Sequence, residues 1–186
     1  MDNPTHLKNP WQIKETSLPY NNPWIQVKHH DVVHPSGNDG IYGVVHFKNL
    51  AIGILPIDKE GYTYLVGQYR FPINQYSWEI PEGGSAHGEE PLETAKRELE
   101  EECGLLAESW EQLMELHLSN SATDEKAIVF LAKELSTGIF NPEESEQLEI
   151  KKVHFNELYQ LVMDGSITDA ITVAAVLKYS AIKPKI

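Results

Sequence analysis

The stretch GGSAHGEEPLETAKRELEEECGL, residues 83–105, decides the reading of this chain. A glycine-rich run leads into Pro91, which suits the first position of a helix because its missing N–H is not needed there, and Gly104 suits the left-handed residue just past the end. Glu90 is a poor N-cap, so no cap fixes the start position. At 3.6 residues per turn, Glu98, Glu101 and Glu102 fall at i, i+3 and i+4 and share one face. Leu92, Ala95, Leu99 and Cys103 form an adjoining apolar stripe that packs the helix on a sheet. Three carboxylates at the edge of a packed face repel one another unless something positive lies between them. Oxygen ligands of this kind suit magnesium or manganese, and two bridged metals also suit a phosphate chain. The competing reading of RELEEE is an ordinary solvated helix rich in glutamate. Glu93 and Glu100 point away from the acidic face and read as solvated.

The 186 residues fit one domain of ordinary size. With 15 Lys and Arg against 28 Asp and Glu, the formal charge of -13 argues against a protein that holds nucleic acid by neutralising its phosphates. An anionic substrate then needs a local arginine cluster or a divalent metal between it and the acidic protein. The one cysteine, Cys103, rules out an internal disulfide framework, and its place in the apolar stripe reads as a packed thiol rather than a nucleophile. The N-terminus has neither a basic start nor an apolar run, and no segment approaches a membrane span, so a cytoplasmic protein without a membrane partner is expected.

Along the chain, WIQVKHHDVV (24–33), IYGVVHF (41–47), AIGILPI (51–57) and YTYLVGQYR (62–70) read as strands, with PSGNDG and DKEG as turns between them. A short strand in YSWEIP ends at Pro81, and the glycine-rich segment after it reads as a loop. Residues 107–117, 125–132 and 148–155 read as further strands, and NELYQLVMDG and TDAITVAAVLKYSA as closing helices. Strands on both sides of a helix, with mostly hairpin connections, predict an α+β domain with helices packed on mixed sheets.

The spacing of the opening stretch is Gly83, five residues, Glu89, seven residues, Arg97-Glu98-Leu99, one residue, Glu101-Glu102, one residue, Gly104-Leu105. At roughly 7% usage per residue type, its seven Gly, Glu and Arg identities would match a random window with odds on the order of one in a hundred million. This pattern resembles the Nudix box, the defining motif of the Nudix hydrolases, at every position. The resemblance implies an α/β/α sandwich with mixed sheets and hydrolysis of a nucleoside diphosphate linked to another group. It implies Mg2+ or Mn2+ held by Glu98, Glu101, Glu102 and the main-chain carbonyl of Glu82, with Glu101 counted also among the catalytic residues. Glu89 and Arg97 would support the loop and helix by ion pairing.

Specificity lies outside the box. VGQYRFP (66–72) and WEIPEGG (78–84) are similar to the surroundings of the box in ADP-ribose pyrophosphatases and nucleotide-sugar hydrolases. By that resemblance Arg70 is a cationic fork for phosphate or ribose oxygens. Tyr69 is either a substrate contact or a core strand residue. Glu79 bonds a base or ribose, or else pairs with a neighbouring arginine. Asn120 stands where the ADP-ribose enzymes usually carry a proline, which leaves GDP-mannose or another nucleotide sugar beside ADP-ribose as substrate. Glu125 matches a substrate-contacting glutamate, and in NPEESEQLEI (141–150) Glu144 aligns as general base and Glu146 as a further metal ligand. The reading of that acidic loop as merely solvated stays open.

Residues 1–48 resemble an extra antiparallel sheet through which such enzymes form homodimers, and 49–186 would be the Nudix domain. Trp11, Trp24 and the alternation around Val27 supply apolar area that one small sheet cannot bury. His29, His30 and His34 with Asp31 read as hairpin histidines rather than a metal site, because successive strand side chains alternate faces. Two other functions stay open: a catalytically silent nucleotide-binding regulator, and an enzyme that clears damaged nucleoside triphosphates.

Overall fold

The computed structural model describes residues 8–86, 88–142 and 147–183. They form two compact units, one comprising the chain up to Lys48 together with Ser119–Glu125, the other Asn49–Leu118 with the chain from Lys126 onward.

The first unit is an antiparallel sheet of three strands in the order β1 (Gln12–Asn21), β2 (Ile25–Val33), β3 (Asp39–Phe47). Gly37, at φ +86°, turns the chain between β2 and β3 where PSGNDG predicts a turn. One feature departs from the sequence reading: QIKETSLPYN, named as no strand there, forms β1, exposed along its whole length. Residues 119–125 lie along β3 in this unit, Val45 bridged to Thr123 and His46 bonded to Asp124.

The second unit has a four-stranded mixed sheet in the order β7-β4-β9-β8 and a three-stranded antiparallel sheet in the order β10-β5-β6. The strands are β4 (Leu50–Pro56), β5 (Tyr62–Arg70), β6 (Gln75–Glu79), β7 (Glu82–Ser85), β8 (Leu105–His117), β9 (Lys126–Thr137) and β10 (Glu149–His154). The helices are α1 (Pro91–Cys103), α2 (Phe155–Met163) and α3 (Ala170–Ile182). No helix among the described residues is long and apolar enough to cross a membrane.

β4 and β9 pair in parallel, Ile52 opposite Ile128 and Ile54 opposite Phe130, and their alternation builds both faces of the sandwich. Ile52, Ile54, Ile128, Phe130 and Ala132 meet Ala95, Leu99 and Cys103 of α1 in one buried cluster. Leu55, Ala127, Val129 and Leu131 meet Phe155, Leu158, Ile171, Ala175 and Val176 of α2 and α3 in the other. A strand buried on both faces needs a continuous apolar run, which AIGILPI supplies. Gly53 leaves the room that Ile171 takes: a Cβ there would lie 2.5 Å from Ile171 Cγ2.

One sequence expectation for this unit changes. The start of the glycine-rich segment, read as a loop, lies in β7, antiparallel to β4 with Leu50 opposite Ser85 and Gly53 opposite Glu82. EGGS has no apolar alternation to mark a strand, and its pairing is with a segment some thirty residues back. Leu99 is fully buried between α1 and the sheet. Leu99→Ala is expected to cost about 2–5 kcal/mol, read as a lower urea midpoint with an unchanged slope.

Candidate active site

Helix α1 starts and stops where the sequence places it. Pro91 opens it, Glu90 makes no side-chain cap, and Gly104 at φ +63° closes it with its N–H on the Glu100 and Leu99 carbonyls. The apolar stripe fixes which face looks outward, and Thr94, Ala95, Leu99, Glu102 and Cys103 are buried. Burial pushes the Cys103 thiol pKa up, which makes it a packed side chain and not a nucleophile.

The three acidic residues meet different partners. Glu102, only 2% exposed, accepts the Glu82 N–H at Oε2 (2.9 Å). Glu98 Oε1 and Glu101 Oε2 each lie 2.8 Å from Arg97 Nη1, and Glu89 Oε1 lies 3.4 Å from Arg97 Nε. Partial burial works against the guanidinium charge, yet Glu101, Glu98 and Glu89 hold its pKa above the ordinary value. Arg97 is thus a positive charge set between two of the carboxylates, and one guanidinium carries the support that sequence assigns to the Arg97 and Glu89 pair.

Gly83 gives Glu98 its place. A Cβ on Gly83 would lie 1.9 Å from the Glu98 carboxyl carbon, so any side chain there would drive the carboxylate out. Glu100, read from sequence as solvated, accepts the Ile139 N–H at Oε1 (3.2 Å), and Asn141 donates its N–H to the Glu101 carbonyl (3.0 Å). The chain leaving β9 is therefore hydrogen-bonded to the last turns of α1. Glu93 pairs with Lys96 on the exposed side.

On β5 and β6, Arg70 and Glu79 face each other. Arg70 Nε lies 3.1 and 3.0 Å from the two Glu79 oxygens, and Nη2 also donates to Oε2. Of the two sequence readings of Glu79, the pairing with an arginine is the one present, and part of the Arg70 fork is engaged by it. Tyr69 is 57% exposed and bonds Asn74 through its hydroxyl, so it is not a core residue.

Sequence reasoning missed the side chain of Glu82 and its neighbour Asp169. Glu82 Oε1 is buried with no hydrogen-bond partner among the described residues. Burial, with Asp169 and Glu79 nearby, holds the Glu82 carboxyl well above the usual carboxylate range. Asp169 caps α3, accepting the Thr172 N–H (2.7 Å), and Thr172 Oγ1 accepts the Ile80 N–H (3.0 Å). The polar TDA before an apolar helical run signalled that cap. What it could not signal was the approach of α3 to the Glu79–Glu82 turn.

Other residues singled out in the sequence belong to the first unit or lie outside the described residues. Glu125 belongs to the first unit. Glu144 and Glu146 lie outside the described residues. His30 bonds Thr16 (2.8 Å), His34 bonds Ser36 (2.8 Å) and His29 sits 3.7 Å from Asp31. Among the described residues no three His, Cys, Asp or Glu side chains are grouped to hold a metal. The box carboxylates are instead turned to Arg97 and to the Glu82 N–H.

Comparison with known proteins agrees with this geometry. The NUDIX domain model matches residues 47–174, and the model of the nucleoside diphosphate sugar hydrolase N-terminal domain matches residues 9–45. The chain is 35% identical over 148 residues to an ADP-ribose pyrophosphatase of Bacillus subtilis (strain 168), covering 78% of this chain and 80% of that one. It is 33% identical over 148 residues, with the same coverage, to a methanol dehydrogenase activator of Bacillus methanolicus. Among solved structures, an ADP compounds hydrolase superposes with a TM-score of 0.82 at 22% identity over 92% of each chain, which shows a shared fold. With the box helix, its glycine and the sandwich all in place, and a family model spanning most of the sequence, this chain belongs to the Nudix hydrolases.

Proposed function

We propose that this chain hydrolyses the pyrophosphate of nucleoside diphosphate sugars, ADP-ribose foremost and GDP-mannose among the candidates, to a nucleoside monophosphate and a sugar phosphate, with Mg2+ or Mn2+. The observation that carries this reading is the box itself, in which Gly83 makes room for Glu98 and the Glu82 N–H holds Glu102. The name of the Bacillus subtilis relative supports ADP-ribose, and the match of residues 9–45 supports nucleotide sugars more broadly.

The residues fit a divalent metal by their chemistry. Three carboxylates on two successive turns of one helix, beside a glycine that opens the space against Glu98, are a set of hard oxygen donors. Glu98, Glu101, Glu102 and the Glu82 carbonyl would hold it, with Glu146 as a further ligand. When bound, the metal would neutralise the pyrophosphate and acidify water.

The chain's own groups do the rest. Arg70, with Nε and Nη2 on Glu79, keeps Nη1 for a phosphate or ribose oxygen and is oriented by that pairing. Tyr69 and Glu125 are the other proposed substrate contacts, and Glu79 serves the substrate through its hold on Arg70. Glu144 takes the proton from the attacking water, and Glu101 is the other catalytic carboxylate. The Asn141 hydrogen bond to the Glu101 carbonyl supports this, since the acidic loop begins there. A cytoplasmic setting suits the single buried thiol. A second reading, a regulator of another enzyme, is favoured by the 33%-identical relative named as an activator.

We take the enzyme to be a homodimer. In the first unit Ile13 is 61% and Trp24 66% exposed, and Leu18, Tyr20 and Ile41 are also open, more apolar surface than a small sheet ordinarily leaves to water. Light scattering on the eluted peak is expected to give twice the 21.1 kDa chain mass, and a monomer at micromolar concentration would remove the dimer.

Chromatography of products after incubation with magnesium and ADP-ribose, GDP-mannose, other nucleotide sugars and nucleoside triphosphates should show a nucleoside monophosphate from a nucleotide sugar. Cleavage of triphosphates alone would replace this reading, and cleavage of nothing would favour the regulator. Glu102→Gln keeps an oxygen for the Glu82 N–H but removes the charge. It should lower turnover by orders of magnitude at an unchanged melting temperature, and near-normal turnover would sink the assignment.

A further inference from the structure

The chain passes from β6 into β7 through Ile80, Pro81 and Glu82. Pro81 has no N–H, so this segment has two main-chain donors, and side chains of two different helices accept from them. The Ile80 N–H donates to Thr172 Oγ1 of α3 (3.0 Å), and the Glu82 N–H donates to Glu102 Oε2 of α1 (2.9 Å). Between the two, the Pro81 carbonyl accepts the Ile54 N–H of β4 (2.9 Å). The segment therefore ties a hydroxyl on one helix layer to a box carboxylate on the other.

The α3 end of this tie is held firmly. Thr172 is fully buried, and its own N–H is taken by the cap, Asp169 Oδ2 (2.7 Å). One residue back, Ile171 fills the space over Gly53, and Gly53 is the residue paired opposite Glu82. Helix α3 thus bears on β4 at the point where β7 presents the Glu82 peptide. Glu102 is almost wholly buried, so the direction of that N–H bears on where its carboxylate points. Groups that orient a ligating carboxylate tune the metal as the ligands themselves do.

We propose that Thr172 is a positioning residue for the divalent metal: by holding the Ile80 peptide, its hydroxyl sets the Glu82 N–H that orients Glu102. This rests on the assignment of Glu102 as a metal ligand made above. Sequence marks Thr172 only as part of a closing helix.

The test is Mn2+ binding without substrate, read from the paramagnetic resonance signal of the free ion. Thr172→Val keeps the shape and removes the acceptor, and it should raise the Mn2+ dissociation constant about tenfold. Thr172→Ser, which returns the hydroxyl, should recover most of the loss. Val176→Ala takes packing from the same helix without touching the hydroxyl, and should leave the constant unchanged. In a Glu102→Gln background, Thr172→Val should bring no further weakening, because its effect runs through that carboxylate. An unchanged constant in Thr172→Val, no recovery in Thr172→Ser, an equal loss in Val176→Ala, or additive effects in the double variant each overturn the proposal. A wild type that binds no Mn2+ would count against the metal reading instead, and exchange of the Glu82 amide, followed by NMR, then decides the tie. That amide should exchange faster in Thr172→Val, at the wild-type rate in Thr172→Ser and Val176→Ala, and any other pattern overturns it. If Thr172→Val does not fold, Asp169→Ala, which removes the cap holding Thr172, takes its place in the exchange measurement, and an unchanged rate there overturns the tie.

Discussion

One peptide hydrogen bond, from the Glu82 N–H to Glu102 Oε2, holds the acidic helix and the segment before it in one frame. Glu102 is almost wholly out of solvent, and a buried carboxylate without a donor is strongly destabilising. The donor is available only because β7 pairs with β4, which fixes the direction of the Glu82 peptide. Gly83 follows from the same frame, since the strand that presents the N–H runs against Glu98. Arg97 then offsets the repulsion that remains between Glu98 and Glu101. Backbone pairing, a missing side chain and one guanidinium together let an acidic cluster persist in a chain already at -13.

The sandwich serves the same frame. Because β4 and β9 bury both of their faces, α1 is pressed on one side and α2 and α3 on the other. The second pair of helices is not remote from the chemistry. Asp169 and Thr172 at the start of α3 take up the turn around Ile80, so the segment that carries Glu79 and Glu82 is bonded at both ends, to α3 through Ile80 and to α1 through Glu82.

What was legible in the sequence was local. Pro91, the i, i+3, i+4 carboxylates and Gly104 mark a helix by themselves, and α1 has those limits. Strands with an apolar alternation or an apolar run, such as AIGILPI, were legible for the same reason. β7 was not, because EGGS carries no periodicity and becomes a strand only when β4 is beside it. β1 was not, because a strand exposed along its whole length has no buried face to impose a pattern. Within the site, the residue types at the box positions were readable and their partners were not. That Arg70 meets Glu79, that Glu100 takes the Ile139 N–H, and that Glu82 lies by Asp169 all depend on contacts between segments distant in the chain.

The seam along β3 also bears on synthesis. His46 and Asp124 are 78 residues apart, so the N-terminal sheet leaves the ribosome well before the segment that completes its unit. At roughly 5–20 residues per second, the edge of β3 stays uncovered for about 4–16 s of translation, with exposed apolar side chains on the same sheet. An open strand edge is a template for pairing with other chains. The nascent polypeptide therefore passes through an interval in which intermolecular association and chaperone capture compete with closure, and codon usage between residues 48 and 119 sets how long that interval lasts.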